Sequence, residues 1–322
     1  MEPVRFGVLG CADIAWRRML PAMAADPGIT ITALASRRPA TAESWADAYG
    51  CRAEHGYAAL LERDDVDAVY VPLPASLHAL WTEAALRAGK HVLCEKPLTT
   101  DAARTAALLA LGAERGLVLA ENIMFVHHPQ HGFVRRLVAD GAIGELRSLH
   151  AAFEVPARPE GDIRLCPELG GGALFDVGVY PVRAALCLLP GPLTVVDAAL
   201  SRSPGSRVDT GGSAVLRTPT GVTAELAFGL EHPYRSAYEL RGSAGRILVD
   251  RAFTPPADHR PRIRVVDEAG ERFLELPAYD QAAGVLAAFT TAVRTGGGPD
   301  PVPLDEAVLL REIRRTAARR PV

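Results

Sequence analysis

The stretch Val4-Arg5-Phe6-Gly7-Val8-Leu9-Gly10-Cys11-Ala12-Asp13-Ile14-Ala15 decides the fold. Its apolar run stops at Gly10, and a helical pattern follows through Ile14, Trp16, Met19, Leu20 and Met23. Strand, tight turn and helix open a dinucleotide-binding sheet, in which small residues let the backbone approach a pyrophosphate. Here the fingerprint positions are Gly10, Ala12 and Ala15. Alanine still permits that approach, and a helix N-terminus favours phosphate charge. Alone, the pattern fits an apolar loop equally well. Its place at the head of a strand–helix series favours a cofactor.

Outward from this stretch, strands are expected at 29–35, 67–71, 91–94 and 117–120. Helical segments fall at 42–49, 57–63, 77–88, 101–114 and 131–140. Such alternation implies right-handed βαβ units on a parallel sheet. Near Gly144 the pattern changes to short strand-like runs separated by Gly-, Pro- and Asp-rich turns, with helices at 172–189, 281–295 and 304–319. The fold expected is α/β: a doubly wound Rossmann domain over 1–122, then an α+β domain over 123–322 with a large, mostly antiparallel, open-faced sheet. Helix 131–140 is expected to bridge the two.

Composition narrows the function. The 322 residues are 48% hydrophobic and 23% charged, with a net charge of −3. That balance gives no general attraction to nucleic acid or to an anionic membrane. No run of 18 uncharged apolar residues occurs, so no membrane span is expected. The chain enters a strand almost at once, leaving no room for a signal peptide. Five scattered cysteines, at 11, 51, 94, 166 and 187, argue against a disulfide framework and a Cys-type zinc site. A cytoplasmic location is expected.

The end of the second strand selects the cofactor. An acidic residue there binds the ribose 2′-hydroxyl of NAD, whereas this chain has Ser36-Arg37-Arg38. Guanidinium groups suit a 2′-phosphate, so NADP(H) is expected. Pro72-Leu73-Pro74 follows the third strand, and His78 lies in the next helix's first turn, either facing the cofactor or on the surface. The cofactor-facing set is Gly10, Cys11, Ala12, Asp13, Ile14, Ser36, Arg37, Arg38, Tyr57, Leu73, Pro74 and His78, joined by Glu95 and Lys96.

Two stretches carry the chemistry. In Val92-Leu93-Cys94-Glu95-Lys96-Pro97-Leu98 a buried strand ends at one of only two lysines. Proline holds Lys96 extended or in a turn, at the strand end where open α/β sheets bind ligands. The second stretch is Gly170-Gly171-Gly172-Ala173-Leu174-Phe175-Asp176-Val177-Gly178-Val179-Tyr180. On a helix Asp176, Tyr180 and Arg183 share a face. Hydride addition to a carbonyl leaves an alkoxide that needs a proton. The Tyr180 phenol can donate it, with a nearby ammonium lowering its pKa, or Lys96 can donate directly. His127 and His131 are spaced i, i+4, but Pro129 intervenes and no matching ligand set is evident, so no metal is expected. Arg17, His127, Tyr234, Phe253 and Thr254 are substrate candidates.

These motifs resemble the glucose–fructose oxidoreductase/inositol dehydrogenase (Gfo/Idh/MocA) family over nearly the whole chain. The marks are Cys94 to Leu98, Gly170 to Tyr180 and Gly161-Asp162-Ile163-Arg164. Cys11 to Arg18, Ser36 to Arg38, Phe125 to His131 and Phe253 to Pro256 look like its NADPH-dependent sugar 3-ketoreductases of deoxysugar biosynthesis. The resemblance implies a catalytic or substrate-positioning Lys96, Asp176 and Tyr180 over the nicotinamide, and Arg164 on the cofactor. It implies reduction of a nucleotide-linked 3,4-diketo-2,6-dideoxyhexose at C3, with dTDP as the expected nucleotide, by a homodimer or homotetramer packed through the C-terminal sheet. Alternatives are an NADP-dependent enzyme of another sugar, polyol or diol, and a dinucleotide-sensing regulator.

Overall fold

The computed structural model describes residues 2–319. The outermost ends of the two expected domain ranges, residue 1 and residues 320–322, lie outside them. The chain divides into two compact units. The first runs through Ile123 and adds Ala282–Leu304; the second is Met124–Gln281 with the chain from Asp305 onward.

The first unit holds six parallel strands, β1 Val4–Leu9, β2 Ile29–Ser36, β3 Arg52–His55, β4 Ala68–Val71, β5 His91–Glu95 and β6 Leu119–Asn122. Their order is β3-β2-β1-β4-β5-β6, so chain order reverses between β1 and β4. Ligands of doubly wound sheets bind outside the carboxyl ends of the strands at that reversal. The helices are α1 Leu20–Ala25, α2 Pro39–Tyr49, α3 Tyr57–Leu61, α4 Ala75–Arg87 and α5 Ala102–Glu114. A core of Leu9, Leu60, Val69, Leu86, Val92, Leu108 and Leu119 joins sheet to helices. These strands are buried on both faces, hence their continuous apolar runs.

Two details depart from expectation. Strand β3 was not anticipated, because its sequence Arg-Ala-Glu-His lies on the sheet edge and shows no apolar run. Strand β6 begins two residues later than expected and so carries Glu121 and Asn122 beside Cys94 and Glu95. Polar residues disguised the strand end; they are buried there because each finds a hydrogen-bond partner.

The second unit opens with α6 Pro129–Ala139, then β7 Leu146–Glu154. Pro129 starts the helix two residues earlier than expected, and His128 caps it by accepting the Gln130 N–H. After β7 come α7 Val179–Leu188, β8 Thr194–Ser201, β9 Gly211–Arg217, β10 Thr223–Gly229, β11 Arg235–Gly242, β12 Gly245–Asp250, β13 Arg262–Asp267 and β14 Gly270–Glu275. The sheet order is β14-β13-β12-β11-β7-β10-β9-β8. Every pairing is antiparallel except β7 with β10. Helix α7 packs on β7 and β10. The 22-residue helical run Pro167–Leu188 is long and apolar enough to cross a membrane, yet 67% of that window is buried inside the protein. Its hydropathy is that of a core helix.

The last helices are α8 Gln281–Thr295 and α9 Val302–Ala317. Most of α8 groups with the first unit, whereas the sequence reading placed everything after residue 122 in the second domain. Phe289 explains the return: it is 3% exposed and stacks on Phe6 of β1 at 5.6 Å. Such aromatic pairs contribute beyond their buried area.

Buried histidines mark the second unit. His131 places Nδ1 3.0 Å from the Tyr238 hydroxyl and Nε2 3.1 Å from the Ala252 carbonyl. A neutral ring satisfies both, accepting from Tyr238 and donating to Ala252. Burial pushes His131 down from 6.5 to about 3, aided by His128, and burial pushes His128 down to about 4. Between those values and 6.5 the unfolded chain binds more protons, so stability rises with pH and is lost on acidification. Urea midpoints should therefore fall as pH drops from about 6.5 towards 4. The slope should flatten in His131→Gln; an unchanged slope would contradict this assignment.

Candidate active site

At the β1 end Gly10 has φ +118°, and a Cβ built there would lie 2.7 Å from Leu73 Cδ2. Its N–H donates to the Ala35 carbonyl at 2.9 Å. The close approach of the β1 and β4 ends therefore requires glycine. Beyond it, Ala12 accepts from the Ala15 and Trp16 amides at the helix start. A widened turn follows at Ala15–Met19, of a kind often found near functional sites. Asp13 forms an ion pair with Arg17 at 2.5 Å on the exposed surface, so both substrate candidate Arg17 and Asp13 are engaged with each other.

At the β2 end Ser36 is buried, while Arg37 and Arg38 are exposed. The Ser36 hydroxyl accepts the Arg38 amide at 3.1 Å. Burial raises the Cys11 thiol pKa, partly offset by a hydrogen bond with Ser36. Burial likewise raises the Tyr57 phenol, with Arg37 opposing it. Cys11, Ser36, Arg37 and Tyr57 therefore form one cluster beside the Gly10 turn. A hydroxyl and exposed guanidinium groups there fit a ribose 2′-phosphate.

Around β5 the polar groups are buried and paired. Glu95 Oε1 accepts from the Tyr70 hydroxyl and from Asn122 Nδ2, each at 2.6 Å. Burial raises the Glu95 pKa, opposed by Tyr70, Lys96 and Asn122. The Leu98 amide donates to Glu121 Oε1 at 2.6 Å. The Lys96–Pro97 peptide is cis. Lys96, half-buried, follows directly on this anchored strand end. Glu95 is thus an internal anchor rather than an open ligand. His78 is 1% exposed, with Nδ1 2.7 Å from the Pro97 carbonyl and Nε2 2.7 Å from the Leu73 carbonyl. Both ring nitrogens are occupied by protein, which corrects the surface and cofactor-facing alternatives alike. The other lysine, Lys90, is buried and donates to the Arg63 and Val66 carbonyls.

In the second unit the three glycines answer to close packing. A Cβ on Gly171 would meet the Arg164 carbonyl at 2.4 Å. One on Gly172, whose φ is +122°, would meet Asp209 Oδ1 at 2.5 Å. Asp209 caps the segment beyond: its Oδ2 accepts the Leu174 amide at 2.7 Å and its carbonyl accepts that of Ala173 at 2.8 Å. No motif pointed to Asp209, which lies 35 positions from Leu174 in the chain.

The helix expected over 172–189 begins with a widened turn, Leu174–Gly178, before α7. The extra residue per turn changes which side chains align. Asp176 pairs with Arg164 Nε at 3.0 Å, and Arg164 also pairs with Asp162 at 3.2 Å. Burial disfavours the Arg164 charge, but Asp176 and Asp162 more than offset it and raise its pKa. Arg183 instead forms a buried ion pair with Glu306 at 2.5 Å. Tyr180 joins an aromatic cluster, 4.7 Å from Phe153, 5.8 Å from Phe253 and 6.0 Å from Phe125. The expected polar stripe is therefore three separate interactions.

Phe253 is 1% exposed, so it serves as core to Tyr180 rather than as a substrate surface. Tyr234 and Thr254 do come together, their hydroxyls 3.1 Å apart and Tyr234 46% exposed. His127 ends a short turn before α6 and is half-buried. Among the described residues no cluster of three His, Cys, Asp or Glu side chains is placed to hold a metal ion.

Residues 4–123 match the family model of the oxidoreductase family with an NAD-binding Rossmann fold, and residues 132–248 match that of the GFO/IDH/MocA C-terminal domain. The chain is 56% identical to the dTDP-3,4-didehydro-2,6-dideoxy-α-D-glucose 3-reductase of Streptomyces violaceoruber, covering 92% of this chain and 87% of that one. It is 52% identical to the enzyme of the same name from Actinomadura kijaniata, covering 92% and 90%. The crystal structure of KijD10, a 3-ketoreductase from Actinomadura kijaniata in complex with NADP and TDP-benzene, superposes with a TM-score of 0.95 at 50% identity over 98% of both chains.

Gly10→Ala is expected to weaken NADPH binding about tenfold or more by strain and collision with Leu73. Gly89→Ala, where φ is also positive but no atom lies within 4 Å, is the control that should leave binding unchanged. Asp209→Ala should destabilise the second unit by about 1 kcal/mol through the lost cap, with Asp209→Asn recovering much of it. Calorimetric binding and denaturant titration measure the two effects.

Proposed function

We propose that this chain, which belongs to the Gfo/Idh/MocA family of oxidoreductases, uses NADPH to reduce the C3 keto group of a dTDP-linked 3,4-diketo-2,6-dideoxyhexose. The observation that carries this reading is the match to 3-reductases named for that sugar, 52–56% identical over 92% of the chain. Solved relatives include lysine-to-alanine and tyrosine-to-phenylalanine variants of KijD10, both with TDP-benzene and NADP. Those are the residue types to which we assign the proton transfer here. The place of the reaction is deoxysugar biosynthesis in the cytoplasm.

The residues fit the cofactor. Gly10 keeps the turn tight against Leu73, and the first amides of the helix that follows lack partners within their own turn, which favours phosphate charge there. Cys11, Ala12, Leu73 and Pro74 line the same strand ends. Ser36, Arg37 and Arg38 receive the 2′-phosphate, with Tyr57 beside Arg37. When bound, NADPH supplies a hydride to the carbonyl carbon. Lys96 and Tyr180 deliver the proton to the carbonyl oxygen. The Tyr180 ring is braced by Phe153 and Phe253, which restricts where its hydroxyl can go. Asp176 acts through its ion pair with Arg164, the residue assigned to the cofactor. Tyr234, Thr254 and His127 are assigned to the sugar.

We also propose a homodimer or homotetramer packed through the second sheet. The face of that sheet carries a depression of about 640 Å³ whose lining includes His150, Ser213, Glu225, Glu239 and Arg251. An open sheet face of this size suits a second copy of the same surface.

Incubation with NADPH and the keto sugar should consume NADPH, followed by absorbance, and NADH should support turnover poorly. Lys96→Ala should reduce kcat roughly 10²–10⁴-fold while NADPH still binds. No NADPH consumption by the wild type with any nucleotide-linked 3-keto sugar would refute the function. Unchanged turnover in Lys96→Ala would refute the role of the lysine.

A further inference from the structure

His78 has a hydrogen-bonding environment that only one protonation state satisfies. Its Nδ1 lies 2.7 Å from the Pro97 carbonyl oxygen, and its Nε2 lies 2.7 Å from the Leu73 carbonyl oxygen. Carbonyl oxygens only accept. A neutral imidazole has one N–H and one lone pair, so one contact would set two lone pairs against each other. The ring is 1% exposed, which leaves solvent no access to relieve that repulsion. His131 shows the contrast: its Nδ1 faces a hydroxyl, which can donate, so a neutral ring accepts there and donates from Nε2 to the Ala252 carbonyl.

We propose that His78 is a buried imidazolium that clamps the Leu73 and Pro97 carbonyls together, positions Lys96, and by its charge makes the Lys96 ammonium a readier proton donor. The proposal rests on the reading of Lys96 as a proton donor. Its geometry lies wholly within the first unit. Leu73 follows β4 and Pro97 follows β5, so the ring ties together two neighbouring loops at the carboxyl ends of the strands. Pro97 is bonded to Lys96, so the tether holds the turn from which the lysine side chain departs.

Several forces oppose a charge here. Burial, with a smaller push from Lys96, holds the His78 pKa below its ordinary value, and the start of α4 adds a weaker repulsion. The two carbonyls and Glu121 raise it. Hydrogen bonds from both imidazolium N–H groups to the two carbonyls return part of that desolvation cost. Charges also compensate locally. The charged groups acting on the ring are Lys96, from the turn after β5, and Glu121, from β6. Glu95 in turn feels Lys96. A fixed neighbouring cation is a recognised way to make a lysine part with its proton. In the proton step the Lys96 N–H bond breaks, its electron pair stays on nitrogen, and the new O–H bond forms on the carbonyl oxygen as hydride reaches the carbon.

Two measurements test this. Imidazole ¹⁵N spectra of the intact protein, with His78 assigned by loss of its signals in His78→Gln, should show both nitrogens protonated at neutral pH. A single unprotonated nitrogen overturns the proposal, and this readout needs neither catalysis nor a folded variant. In His78→Gln, kcat at neutral pH should fall about tenfold, and the alkaline limb of its pH profile should move up by about one unit, because Lys96 then keeps its proton longer. KM for the sugar and the affinity for NADPH should stay near wild type. A fall in kcat without movement of the alkaline limb reduces His78 to a structural role and overturns the electrostatic claim. Absence of wild-type turnover instead refutes the proposed function, while the nitrogen spectra still decide the clamp.

Discussion

A carboxylate buried at the end of β5 is the constraint on which the first unit depends. Glu95 is buried, and a buried carboxylate is tolerable only when its oxygens are hydrogen-bonded. Tyr70 from β4 and Asn122 from β6 both donate to one oxygen, so three adjacent strands converge on it. The next residue is Lys96. Its backbone position is therefore set by the same interactions that satisfy Glu95, and by Glu121 holding the Leu98 amide two residues later. Pre-organised groups of this kind cost little reorganisation at the moment of reaction. The β5 end is rigid because its polarity is internal.

The second unit meets an equivalent demand by other means. There the segment bearing Asp176 and Tyr180 starts where Gly171 and Gly172 pass against the Arg164 carbonyl and the Asp209 carboxylate. Asp209 supplies the acceptors that the segment's first amides lack within their own turn. Phe125, Phe153 and Phe253 then enclose one side of the Tyr180 ring. In the first unit a buried charge organises its neighbours, and in the second it is the absence of side chains that lets a capping acid approach.

Much of this was legible in the chain because it rests on local periodicity and turn chemistry. The apolar runs of β1 and β5, the Gly10 turn and the Glu-Lys-Pro stop declare themselves within a few residues. Helix α8 also lay where its pattern put it. Strand β3 escaped because an edge strand has no need of an apolar face. The widened turn at Leu174–Gly178 escaped because nothing in its composition distinguishes it from an ordinary helix. Phe253 looked like a binding surface, yet burial among three other rings assigns it to the core. Asp209, Tyr70 and Asn122 carry no motif, since each acts on a residue distant in the chain.

The amino-acid sequence by itself determined the order of strands and helices apart from the edge strand β3, the small-residue turn for a dinucleotide, the basic end of β2, and the presence of a lysine and a tyrosine in distinctive settings. Those features follow from backbone sterics, side-chain periodicity and charge, which act between near neighbours. Tertiary structure alone decided how each polar side chain is satisfied: Glu95 by Tyr70 and Asn122, Asp176 by Arg164, Arg183 by Glu306, His78 by two carbonyls. The physical reason is that hydrogen bonds and ion pairs depend on atoms meeting within about 3 Å, and sequence separation says nothing about which atoms those are.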